Sequence, residues 1–396
     1  AKATAISLPV GVKITQVSCA ANFSIALDSS GKVWSWGAND YGQLGRDTGT
    51  EMCSAVPAQV KNLPEKAVYI TCGPNTAAAI TESGNIYMWG WNKGLFGDKE
   101  ALSDSQVPVR VMGPWVQEEK KMQSLTLGIG AHAIDEDGVV YSWGVNQNTG
   151  ENQMGRSDVT DCSLQEPAKM DFTWGGSNVA AQVVEIGASV AIITKTGDLY
   201  TWGPNNWGQL GRKTKKRTDD EAYVASGTPW KVGISNVVTV SGGGNAVIAL
   251  TSDNKVYTWG QLIAGNLGRT DIENYKVDCI PHQVSGLPDG VSFTDANALG
   301  QWACVVLTES GDIYSWGCND NGSLGRDTEG EDSASPGKAL VTGIQQLDCG
   351  YNHNVGIDRV GNLYTWGSAR GVGALGTGEV SGFSFEPQMI MKVTES

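Results

Sequence analysis

The chain has 396 residues, a formal net charge of −14 and only 18% charged residues. An acidic, sparsely charged chain lacks the basic footprint of a non-specific nucleic-acid binder, so direct nucleic-acid contact is not expected. No apolar run approaches the roughly 20 residues of a membrane-spanning helix.

No secretory pattern of basic, apolar and small-residue regions opens the sequence. The chain begins at Ala1 rather than Met, from which removal of something ahead of it is expected. Eight cysteines are present without a CxxC pair, which argues against zinc ribbons. A chain this long does not need disulfide staples. Free thiols and an intracellular setting are therefore the expectation.

From the N-terminus, four short segments follow in order. Ile14-Thr-Gln-Val-Ser-Cys19 is an apolar stretch that ends in small residues, and Ser24-Ile-Ala-Leu27 is a second. A glycine turn then leads into Gly31-Lys-Val-Trp-Ser-Trp36-Gly37, and a fourth segment runs through Gly-x-Leu-Gly to Pro57-Ala-Gln-Val60. Short apolar runs punctuated by Gly and polar clusters predict strands. The order returns with Trp-Gly at Trp89, Trp143, Trp202, Trp259, Trp316 and Trp366, at steps of 50–59 residues. The turn ahead of each Trp strand carries Gly31, Gly84, Gly138, Gly197, Asn254, Gly311 or Gly361, residue types that accept the positive φ of a tight hairpin.

Seven units of about 55 residues occupy essentially the whole length. An array of equal units is one architecture. The prediction is an all-β, seven-bladed β-propeller with four antiparallel strands per blade, forming one domain over residues 1–396. The seven tryptophans are expected to be packing residues between adjacent sheets, each indole N–H finding a carbonyl. Closure of the ring predicts that the two termini meet where the last blade joins the first.

The units differ in their loops. Repeat 3 has 11 residues from Trp143 to Met154, where most repeats have 8, which predicts a protruding polar loop with Asn146, Asn148, Glu151 and Asn152. Repeat 4 carries a basic run, Arg212 to Arg217, followed by Asp219, Asp220 and Glu221; the acids locally neutralise it, favouring a solvated loop. Arg46, Arg156, Arg212, Arg269 and Arg326 recur after Leu-Gly or its equivalent. Their forks of donors suit loop bracing. His132, His282 and His353 fall in different repeats, so neither a metal site nor a catalytic triad is expected.

The phrases Trp36-Gly-Ala-Asn-Asp40-Tyr-Gly-Gln-Leu44-Gly-Arg-Asp-Thr48 and Trp316-Gly-Cys-Asn-Asp320-Asn-Gly-Ser-Leu324-Gly-Arg-Asp-Thr328 resemble the repeats of the regulator of chromosome condensation family, over all seven units. The resemblance implies a seven-bladed propeller. It also implies, for a member like the founding one, guanine nucleotide exchange on the small GTPase Ran, with a wedge from the third blade and acidic and histidine residues on one face. The repeat-3 loop falls where that wedge would be. The family's face loops usually read Gly-Gly-x-His-Thr, and only His353 matches the histidine.

The expected function is therefore a non-enzymatic protein–protein interaction propeller, a subunit or scaffold of a larger assembly. The alternative is a guanine nucleotide exchange factor for a Ran-like GTPase. Neither needs a cofactor or a catalytic residue. The expected partner is a protein, in the alternative a small GTPase. Candidate partner-binding residues are Asp40, Asn75, Asn146, Asn148, Glu151, Asn152, Trp302, Asn352 and His353, all on face loops, with His353 the best single surface candidate.

Overall fold

The computed structural model describes residues 4–146, 152–214, 224–300 and 302–395. It is a seven-bladed β-propeller. Blade 1 pairs Ile14–Cys19, Phe23–Asp28, Val33–Ala38 and Cys53–Gln59 in that order, antiparallel throughout. Blade 2 runs over Ala67–Cys72, Thr76–Thr81, Ile86–Gly90 and Ser105–Arg110, and blade 3 over Met122–Leu127, Gly130–Asp135, Val140–Val145 and Leu164–Lys169. Blades 4, 5 and 6 repeat the pattern from Ala180 to Lys231, Val237 to Gln283 and Phe293 to Lys338. Blade 7 comprises Ile344–Cys349, His353–Asp358, Leu363–Ser368 and Phe383–Lys392. Ile6–Ser7 adds a parallel fifth strand outside the last of these, opposite Met391 and Lys392. Leu8 then packs between blades 7 and 1 against Trp34, Trp36 and Val355.

Within each blade the second strand is buried along its length and the fourth is exposed on one side. The core is thus a set of seams between neighbouring sheets. The seven tryptophans sit in those seams, each 0% exposed. Six donate their indole N–H to the residue just before the Leu, Phe or Met of the preceding blade's loop. Trp36 reaches Ala374 O at 3.0 Å, across the closure, and Trp89 reaches Gln43 O at 3.0 Å. Trp143, Trp202, Trp259 and Trp316 bond Leu95, Gln153, Gln209 and Asn266 carbonyls at 2.7–2.9 Å.

Trp366 is the exception. Its N–H has no partner, and the carbonyl at the equivalent position, Ser323 O, accepts Asn354 Nδ2 at 2.8 Å. Asn354 is the cross-strand neighbour of Trp366, a place held by Ser24, Ala77, Ala131, Val190, Val247 and Cys304 in the other blades.

The Leu-Gly motif follows from the same seam. Gly45 has φ +63°, and a Cβ there would lie 2.7 Å from Trp89 Nε1. A side chain at that glycine and the neighbouring indole cannot share the space. A Ser or Thr one residue before Trp supplies a further brace: Ser35, Ser142, Thr201, Thr258, Ser315 and Thr365 donate to the carbonyl of Leu44, Met154, Leu210, Leu267, Leu324 and Leu375.

The irregular stretch between repeats 2 and 3 contains a single helical turn, Pro114–Gln117, which buries Trp115 against Tyr141 and Trp143.

Candidate protein-docking face

Two loops of each blade lie side by side at one end of the propeller: the loop between the first two strands, and the longer loop after Trp-Gly. Backbone bonds tie them, as in Ala38 N to Asn22 O at 2.9 Å, Trp91 N to Asn75 O at 3.0 Å and Cys318 N to Trp302 O at 2.9 Å. The long loops are braced from within. Asn39 Nδ2 donates to Thr48 Oγ1 at 2.9 Å and its Oδ1 accepts Leu44 N at 3.0 Å. Asn205 and Asn319 repeat both contacts in blades 4 and 6. The recurrent arginines turn inward: Arg46 Nη2 donates to Ser35 O and Val56 O, Arg326 Nη2 to Ser315 O and Ser335 O, and Arg156 Nη1 to Ser142 O and Glu166 O. These side chains hold the loops and leave the surface to others.

The predicted contact residues divide accordingly. Asp40 is exposed and borders a cleft of about 330 Å³ with Tyr41, Glu51, Met52 and Asp104 of blade 2. Asn75 is half-buried in the blade 2 loop. Trp302 is half-exposed and holds φ +52°. A left-handed backbone is unusual for so bulky a residue. Asn152 is half-buried and donates to Arg156 O at 2.9 Å. Asn148 and Glu151 lie outside the described residues, as does the basic run beyond Thr214 with the acids that follow it.

Three of the expected surface residues are instead internal. Asn146 is 1% exposed; it donates to Asp161 O and accepts Gln153 N, so it braces the loop it was expected to project from. Asn352 is 5% exposed, its carbonyl taking Ser368 N at 2.8 Å. His353 is fully buried, with Nε2 2.8 Å from Ser24 Oγ across the blade 7–blade 1 seam. Burial, and secondarily Arg370, push its pKa down to about 4, so the ring is neutral. The loop around His353 looks polar in sequence, but the alternation of the strand that begins there turns the ring inward.

The other two histidines lie apart from it. His132 is buried with Nε2 2.9 Å from Gln153 O, and His282 pairs with Asp278 on an outer strand. All eight cysteines are free thiols.

Exposed aromatics supply what those positions do not: Tyr41, Trp207, Tyr275 and Tyr351 are 36–65% exposed on loops of this face. Arg370 stacks over Tyr351, 4.6 Å from the ring centre, and donates to Asn22 Oδ1 at 3.2 Å. Tyr41 and Trp207 share a position five residues after the seam Trp that holds no aromatic in the other repeats, so the repeat pattern does not single it out.

At the centre, the ends of the innermost strands enclose a channel of about 350 Å³ lined by Cys19, Cys72, Glu185, Asp348 and Cys349, among others. Asp348 Oδ2 accepts Cys19 N at 2.7 Å and Oδ1 accepts Cys349 N at 2.9 Å. The carboxylate thus clasps the last blade to the first. Seams 1–2, 3–4 and 5–6 use the hydroxyls of Ser18, Thr126 and Ser241 for that bond. Burial raises the Asp348 pKa to about 7 against the pull of the two N–H donors. Burial likewise raises Glu185 well above the usual carboxylate range.

Residues 2–298 match the RCC1-like domain, and residues 310–357 match a regulator of chromosome condensation repeat. The chain belongs to the RCC1-like family. It is 30% identical over 376 residues to the Ultraviolet-B receptor UVR8 of Arabidopsis thaliana, covering 93% of this chain and 79% of that protein. It is 25% identical over 370 residues to the Guanine nucleotide exchange factor SRM1 of Saccharomyces cerevisiae, covering 90% and 70%. Yeast RCC1 (Prp20), solved bound to Kap60, superposes with a TM-score of 0.77 at 22% identity, over 97% of this chain and 85% of that one. Within this RCC1-like propeller, the repeated residues build blades and the non-repeated loop residues individualise the face.

Proposed function

We propose that this chain is a non-enzymatic docking propeller that offers its loop face to a protein partner within a larger assembly. The observation that carries the reading is the sorting of side chains on that face. Asn39, Arg46, Asn319 and Arg326 are consumed by internal braces, while Tyr41, Trp207, Trp302 and Tyr351 reach solvent. Aromatic anchors on a preorganised scaffold concentrate binding energy at protein interfaces. The acids around them, such as Asp40, Glu51, Asp104 and Asp320, favour a partner that presents basic residues.

Nucleotide exchange on a Ran-like GTPase is the second reading. Family membership and the name of the SRM1 relative support it, as does the length of the repeat-3 loop. Burial and neutralisation of His353 remove the one histidine that the family resemblance would have placed on the surface.

Release of mant-GDP from Ran, with and without this protein, separates the two. Docking without exchange predicts no acceleration. Acceleration that disappears when residues 145–154 are shortened would establish the exchange reading instead. Purification of partners from the native source with the wild type and with Trp302→Ala/Tyr351→Ala tests the face: loss of a stoichiometric partner in the variant is expected, and retention of every partner would refute docking there.

A further inference from the structure

We propose that the long loop of blade 6 holds a divalent metal ion of the zinc type through Cys318, Asp320 and Asp332. The Cys318 thiol sulfur and one carboxylate oxygen from each aspartate lie within 4.8 Å of one another. A tetrahedral zinc ion, with Zn–S of about 2.3 Å and Zn–O of about 2.0–2.2 Å, wants donors about 3–4 Å apart. One soft sulfur with two carboxylates suits zinc better than magnesium or calcium, which take oxygen ligands alone. Three protein ligands leave the remaining position to water or to an outside group.

The repeat itself provides a comparison. Blade 1 has the same loop at the same length, from Trp36 to Met52 against Trp316 to Asp332. Both loops carry the Asn–Thr brace and the bond from Thr48 or Thr328 to the carbonyl of Glu51 or Glu331. Asp40 and Asp320 occupy the same position. The other two donors are absent from blade 1, where Ala38 stands for Cys318 and Met52 for Asp332. Asp332 Oδ1 accepts Asn319 N at 3.4 Å, a brace that the Met52 carbonyl supplies to Asn39 N in blade 1, so the blade 1 loop closes without either group.

The local electrostatics point the same way. Neither Asp320 nor Asp332 belongs to an ion pair among the described residues. Arg326, the nearest cation in the loop sequence, is turned inward to backbone carbonyls. The Cys318 sulfur is buried beside the two carboxylates. On binding a divalent ion, the sulfur–hydrogen bond is replaced by a sulfur–metal bond and the proton passes to solvent. Cys318 is only 4% exposed, while both aspartates face solvent, so the ion has an open approach from the carboxylate side.

The test is titration of the metal-free full chain with zinc chloride by calorimetry, and with cadmium chloride by ultraviolet difference spectroscopy. The variants are Cys318→Ala and Asp332→Met, the latter copying blade 1. One equivalent of zinc and a sulfur-to-cadmium charge-transfer band are expected for the wild type, with a binding heat that varies linearly with buffer ionisation enthalpy, its slope counting the proton released. Loss of a mere supporting partner of a ligand costs about 10–100-fold in metal affinity. Asp332→Met should therefore weaken zinc at least about tenfold, and Cys318→Ala should abolish the band. Absence of stoichiometric binding would overturn the proposal. So would a band that survives in Cys318→Ala, which would assign the metal to the channel thiols. Asp332 lies at the surface, so its variant reports on metal without disturbing a core side chain.

Discussion

Replacing individual seam tryptophans by phenylalanine should produce an order of stabilities set by carbonyl bookkeeping rather than by burial, since Trp202, Trp259 and Trp366 are all 0% exposed. Trp→Phe removes similar ring volume at each position, so the packing loss is a shared term. The polar terms differ. At Trp259 the substitution strips Gln209 O of its indole donor, and a buried acceptor left without a partner costs about 1–3 kcal/mol. At Trp202, Gln153 O keeps His132 Nε2 as a second partner, so only the net value of one hydrogen bond is lost, about 0.5–1.5 kcal/mol. At Trp366 the N–H is already unpartnered and Ser323 O already satisfied, so the polar term is zero or favourable. The expected order of stability is Trp366→Phe above Trp202→Phe above Trp259→Phe, with about 1–3 kcal/mol between the ends. Urea unfolding followed by circular dichroism, at unchanged m, measures it. Equal losses at the three sites, or Trp366→Phe as the least stable, would refute the indole–carbonyl account of the seams.

Asp348 titrates near 7 in the fold, above its ordinary value of 3.8, so its stabilising contribution is complete at acid pH and is lost as pH rises from about 4 to about 7. Asp348→Asn should remove that slope, read by chemical denaturation across pH. His353 has the opposite sign. With its pKa down at about 4 from 6.5, its contribution is complete above pH 6.5 and falls as pH drops toward 4, and His353→Gln should flatten that limb. Gly176 and Gly45 both have positive φ, but only Gly45 faces an indole. Gly176→Ala should cost about 1–2 kcal/mol from backbone strain alone, and Gly45→Ala about 1–3 kcal/mol more from overpacking; equal melting shifts would count against the seam contact.

The sequence by itself determined the number of blades, the order of strands and the inward position of seven tryptophans. Each of these is a local pattern, repeated until chance is excluded. A short apolar run, a turn glycine and a Trp-Gly step mean the same thing in every copy, because every blade meets its neighbours in the same way. Only the tertiary structure decided which loop residues face water. Asn146, Asn352 and His353 look like surface groups in sequence, yet loop closure and strand alternation turn them inward, while Tyr351 and Trp207 emerge. Only the closed ring brings Asp348 to the backbone of Cys19, 329 residues away in the chain. Blade count follows from periodicity, but exposure and partner choice depend on contacts between neighbouring blades, and periodicity cannot tell one blade's neighbours from another's.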